Sequence, residues 1–373
     1  MQTLQPTLRL GRDVWDPEAM PIEEFKARAE RLRMEMRPRS TDAVLLYGNG
    51  LDECGYPTYL SNYTVKLPFA ALVILPADSD PVLIFQGSTR GRSAAQATTW
   101  IEDTRPCGDI AETCITALAE KNLLNGTIGL AGVRRLMPHA SWTRLSSALE
   151  NAMFVDAEPF LDRLRSLKSD RETSQIRRAA RIVHRALGAM GGTNEWLLTA
   201  AITRDARMQG AEDVRVLIAR PSQPAWAFRP PEESAIGESE TVIVHLRASW
   251  ERYWAEVTRT FVVNSGSLQI VDVRIHPVLR YLTPGRTVAE FVRSAKDAMG
   301  PSCSARVEEY GFGNGIGVGP AERPFLSAVD HTVIQPGMCF AIRLAFPDSK
   351  GGLIMRGDTI ALTSRGAQIL GVD

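Results

Sequence analysis

Residues 241–263, TVIVHLRASWERYWAEVTRTFVV, constrain the fold more than any other stretch of the chain. Val242, Val244 and Leu246 alternate ahead of a polar turn at residues 248–252, and a second β-rich run follows over residues 253–263. Two such runs around a polar break read as a β-hairpin. The hairpin carries His245 on its first strand and Glu256 on its second, and a buried polar side chain needs a partner or a task.

The 373 residues exceed the size at which one hydrophobic core stops growing, so two domains are expected. Lys+Arg 43 balances Asp+Glu 43, which gives no electrostatic reason to expect a nucleic-acid or anionic-membrane partner. No run of 18 or more apolar residues occurs and the N-terminus lacks the apolar core of a signal peptide, so a cytoplasmic location is the expectation. The five Cys, at 54, 107, 114, 303 and 339, show no CxxC or Cys/His finger spacing and suit reduced, mostly buried thiols.

Periodicity predicts an amphipathic helix over residues 22–36 and strands at 43–47, 70–75 and 81–85. Helices at 111–121 and 141–150 flank a strand at 127–130, an alternating α/β unit. A break near Phe160 separates a first domain, 1–160, from a second, 161–373. In the second, Ser169 or Asp170 caps a helix with Ile176, Ala179, Ala180, Val183 and Leu187 on one face, and Thr193 caps the next. Strands follow at 214–219, 333–344 and 353–363, with one helix at 288–299. These patterns alone support a mixed α+β domain.

The hairpin's closing Thr258, Arg259, Thr260 and Phe261 resemble the metal-site hairpin of the creatinase, prolidase and methionine aminopeptidase (M24, pita-bread) superfamily, V-x-V-D-x-G followed by G-Y-x-S-D-x-T-R-T-F. Residues 161–173, LDRLRSLKSDRET, are similar to the family's L-R-x-I-K-S-x-x-E entry to the second domain, and residues 56–69 to its N-x-x-Y-L-T-G-Y loop. The resemblance implies a creatinase-like α/β domain followed by a pita-bread domain, a curved antiparallel sheet covered by helices. It also implies a homodimer in which the loop of residues 56–69, with Tyr63 and Lys66 at its tip, reaches the other subunit's site.

Peptidases of this family hold two divalent ions with two Asp, one His and two Glu. The matching positions here are His245, Glu256, Asn314 in GFGNGIG, Arg343 in PGMCFAIRL and Gly357 in RGDT. Hard divalent ions require anionic oxygen ligands. A guanidinium has only donors and repels a metal charge at about 4 Å by about 4 kcal/mol per elementary charge at an effective dielectric near 20. The resemblance therefore points to a divergent member without metal ligands and without a cofactor. The family's catalytic His in A-L-P-H-Y-x-P is also missing: residues 224–231, PAWAFRPP, place Phe228 or Arg229 there.

His245 and Glu256 are the expected proton-moving pair, if they lie across from each other. Arg343 either pairs with Glu256 or clamps a substrate carboxylate. Asn314 would donate to a carbonyl, Arg229 and Arg356 would add positive charge, and Trp226 and Phe228 would wall the pocket; Trp254 is expected on the opposite side of the sheet. Three functions follow. One is a metal-independent creatinase-like hydrolase or lyase acting on a small carboxylate-bearing substrate by hydrolysis, elimination or cyclisation at a C–N bond. The second is an inactive pseudo-peptidase kept as a binding or scaffold protein. The third is a metallopeptidase with displaced ligands, which needs Asp358 or Glu322 to converge on the site.

Overall fold

The computed structural model describes residues 15–50, 55–192, 194–221, 228–301, 311–347 and 352–372. It divides into two compact units, residues 1–165 and 166–373. The break lies beyond Phe160 because a helix, Glu158–Ser166, runs through that position, and Phe160 and Leu161 belong to the first unit's core.

In the first unit, strands β1 (Ala43–Asn49), β2 (Ala70–Pro76), β3 (Val82–Gln86), β4 (Asp103–Cys107), β5 (Thr127–Ala131) and β6 (Met153–Asp156) form a mixed sheet of order β4-β3-β2-β1-β5-β6. Alternation along β1 divides its side chains between two cores: Val44 and Leu46 join one, and Ala43, Leu45 and Tyr47 the other. A sheet covered on both faces reads as the near-continuous apolar runs seen here. Tyr63 does not project as a loop tip; its ring is buried 5.2 Å from that of Phe85. Cys107 and Cys114 are buried free thiols of the same unit.

The second unit opens with the helix Asp170–Gly188, capped by Ser169 in a capping box with Glu172, and all five expected apolar residues are buried on it. The next helix, Glu195–Met208, is capped by Asn194, whose side chain accepts from the amides of Trp196 and Leu197; Thr193 lies outside the described residues. An antiparallel sheet follows: β7 (Val214–Ala219), β8 (Thr241–Trp250), β9 (Tyr253–Asn264), β10 (Ser267–Ile270), β11 (Gly313–Gly315), β12 (Glu322–Phe325), β13 (Cys339–Pro347), β14 (Leu353–Thr363) and β15 (Gly366–Ile369). Its main path is β12-β11-β13-β14-β9-β8-β7, with β10 on β9 and β15 on β14. The strand expected at 333–344 begins at Cys339 and runs to Pro347.

The β8–β9 turn is tighter than its polar composition suggests. Strand β8 continues to Trp250, which pairs with Tyr253, leaving Glu251 and Arg252 alone at the tip with φ of 45° and 70°. Two consecutive left-handed residues are the geometry of a two-residue hairpin turn. This sets the register of every residue in the site.

Candidate functional site

The pairing puts Thr258, not Glu256, opposite His245, and Arg247 opposite Glu256. Gly357 lies opposite Thr258 and Arg343 opposite Gly357. His245, Thr258, Gly357 and Arg343 thus form one row across four strands, and period-two alternation sends Arg247, Glu256 and Trp254 to the same face. Trp254 shares the face of Glu256, two residues away, contrary to expectation; the Arg215 guanidinium lies 4.8 Å over its ring.

Glu256 is fully buried and held from two sides. Arg343 Nη1 donates to its Oε1 at 2.5 Å and Arg247 Nε to its Oε2 at 2.8 Å. Burial alone would raise its pKa, but Arg343, then His245 and Arg247, reverse that and hold it at about 2. A carboxylate so held is a fixed anion near neutral pH, so the expected proton exchange between Glu256 and His245 has no support here. His245 Nε2 is 3.9 Å from Glu256 Oε2, beyond hydrogen-bonding distance.

The imidazole Nδ1 lies 2.9 Å from Thr258 Oγ1, and the Phe228 ring sits 5.6 Å from the imidazole. Burial lowers the His245 pKa to about 4, with Glu256 opposing the shift and Arg247 and Arg343 adding to it, so the ring is neutral at pH 7.

Asn314 is an acceptor for Arg343 rather than a donor to a ligand. Arg343 Nη2 donates to its Oδ1 at 2.9 Å, while its Nδ2 donates to the Gly315 and Pro320 carbonyls. Of the alternatives for Arg343, the ion pair with Glu256 is the one formed.

Two expected site arginines belong elsewhere. Arg229 makes a two-pronged pair with buried Glu195, at 2.8 and 3.0 Å. Arg356 lies on the reverse face with Asp358, to which it donates at 2.8 Å, because it is one residue out of step with Gly357. Trp226 lies outside the described residues.

Whether the five family positions suit a divalent pair can be judged directly. His245, Glu256 and Asn314 are the side chains among them with any capacity to bind metal, and both oxygens of Glu256 and the Oδ1 of Asn314 are already engaged by guanidinium groups. At Gly357 a Cβ would come 2.9 Å from Thr258 Oγ1, so the row has no room for a carboxylate there. Displaced ligands do not converge either. Asp358 faces the reverse side, paired with Arg259 and Arg356, and Glu322 pairs with Lys168 at 3.0 Å. Among the described residues no cluster of three or more His, Cys, Asp or Glu forms. The residues do not fit a metal pair.

A model of metallopeptidase family M24 matches residues 174–364, and one of the creatinase/prolidase N-terminal domain matches residues 28–167. The chain belongs to metallopeptidase family M24. An Xaa-Pro dipeptidase of Pyrococcus horikoshii is 24% identical over 252 residues, covering 64% of this chain and 72% of the relative. The prolidase structure from Pyrococcus horikoshii superposes with a TM-score of 0.71 at 21% identity, over 93% of this chain and 98% of that one. The X-Pro aminopeptidase of Thermotoga maritima gives 0.73 at 19% identity, over 92% and 97%. These likenesses bear out the pita-bread architecture with a creatinase-type first domain.

The sequence motifs give Arg247 no role, and they mark Thr258 as a motif residue without pointing to it as the partner of His245. Each had a usable signal: Arg247 is two residues from His245, hence on its face, and Thr258 has the same relation to Glu256. In the described residues no helix is long and apolar enough to cross a membrane.

Proposed function

We propose that this M24 member is a metal-independent protein that binds a small anionic molecule at the rebuilt metal pocket and does not hydrolyse peptides. The observation that carries the reading is Arg343, whose guanidinium bridges Glu256 and Asn314 at two family metal-ligand positions. A positive group fixed there opposes a divalent cation and favours an anion. Arg343 and Arg247 together exceed the single charge of Glu256, and neutral His245 adds none.

The peptidase relatives favour the opposite expectation, peptide hydrolysis, and the two readings separate in a simple assay. Purified protein supplied with Mn, Co or Zn should leave Xaa-Pro dipeptides uncleaved, while a panel of small carboxylates should raise its melting temperature. A ligand near 100 times its Kd adds about 2.7 kcal/mol. Metal-dependent cleavage of the dipeptides would refute the proposal.

A second reading, metal-independent turnover of the bound molecule at a C–N bond, is favoured by one feature. His245 is neutral, and Thr258 holds it by Nδ1. If Nδ1 carries the proton, Nε2 is left as an acceptor for a proton from the ligand. In that chemistry Glu256 acts as the fixed counter-ion of the two arginines. Product formation in the presence of chelator, lost in His245→Asn, would distinguish turnover from binding.

A further inference from the structure

Building on the reading of this pocket as an anion site, we infer that Arg247 selects the ligand and that the ligand is a monocarboxylate with a flat apolar body. Arg343 has Nη1 on Glu256 and Nη2 on Asn314, so both ends of its fork are engaged within the protein. Arg247 is anchored differently, through Nε alone, at 2.8 Å from Glu256. Among the described residues its Nη1 and Nη2 have no partner, and the side chain is one-quarter exposed. Anchoring at Nε leaves the Nη1–Nη2 edge, two parallel N–H donors, for the two oxygens of a carboxylate.

The surroundings narrow the class. Two guanidinium groups against one carboxylate and a neutral imidazole leave a single positive charge, which one carboxylate balances. Arg215, opposite Arg247 in the sheet, does not offer a second anion subsite of the same kind. Its charge is paired with Asp213 at 3.1 Å and its guanidinium lies on Trp254. The Phe228 ring against His245 supplies an apolar wall for a flat body.

Calorimetric titration with benzoate, uncharged benzamide and dianionic phthalate tests this on the full chain. Benzoate should bind at least about tenfold more tightly than either of the others, and Arg247→Gln should lose about tenfold or more for benzoate while leaving benzamide unchanged. A merely structural role would weaken benzoate and benzamide alike and would overturn the inference. Should Arg247→Gln fail to fold, Arg247→Lys, which keeps the charge but not the fork, must weaken benzoate severalfold, and unchanged affinity overturns it. If Arg247→Gln binds benzoate like the parent while Arg343→Gln does not, selection by Arg247 is wrong and the anion-site reading survives. If the parent protein binds none of the three, or does not prefer benzoate to benzamide, both fall.

Discussion

At the scale of single residues the pocket is an exercise in charge compensation. Removing one partner of a buried ion pair costs about 3–5 kcal/mol, because the other charge stays buried. Arg343→Gln leaves Arg247 on Glu256 and should therefore destabilise the protein by somewhat less, about 2–4 kcal/mol, seen as a lower urea midpoint with an unchanged slope; a loss under about 0.5 kcal/mol, within the usual range for surface substitutions, would mean the pair is not formed.

The titration windows follow from the same cluster. Glu256 has its pKa depressed from 4.5 to about 2, so its contribution is complete above pH 4.5 and is lost as pH falls toward 2. His245, and His184 on the helix Asp170–Gly188, sit at about 4 against an ordinary 6.5, both chiefly through burial. Between pH 6.5 and 4 the unfolded chain takes up protons that these rings refuse, so stability falls as pH falls through that window. The loss is on the order of 3 kcal/mol per ring when complete. Urea unfolding at pH 7 and pH 5 should show the loss, and His245→Asn should reduce it; an unchanged pH slope in that variant would contradict a buried neutral His245.

At the scale of elements, the strand and helix periods were readable and the registers were not. The helices Ile22–Met36 and Val288–Met299 and the strand Leu353–Thr363 lie where their apolar spacing puts them, because each buries one continuous face. The hairpin turn is shorter than its polar composition suggests because its left-handed residues are Glu251 and Arg252, without the Asn-Gly or Asp-Gly pair that usually announces a two-residue turn. Its true length decides that His245 meets Thr258 and that Glu256 meets Arg247. Arg229 stands apart from the row for another reason: its partner Glu195 is 34 residues away in sequence, on a different element. Arg229→Ala should cost about 2–4 kcal/mol by withdrawing a pair of hydrogen bonds from a buried carboxylate, although Arg220 remains beside it. Chemical denaturation measures this, and a cost near zero would return Arg229 to the list of surface residues.

At the scale of the whole molecule, the scaffold was more legible than the chemistry. The family architecture survives in the apolar pattern and in short motifs such as Thr258–Phe261, while the site was altered at a few positions that leave the sheet intact. Among the described residues each unit has buried apolar clusters of its own. A fragment ending after Ser169 should therefore fold alone, with a cooperative thermal transition and far-UV circular dichroism of a mixed α/β domain; a non-cooperative melt would contradict independent cores.

The most direct test of the central claim, that Arg343 has replaced metal in this pocket, is the metal content of protein purified without chelator, by plasma mass spectrometry. Less than about a tenth of an equivalent of Mn, Fe, Co or Zn is expected, since one imidazole held by Thr258, a carboxamide and a carboxylate already paired with guanidinium groups cannot build a divalent site. Stoichiometric metal, one or two equivalents per chain and lost in His245→Asn, would contradict it.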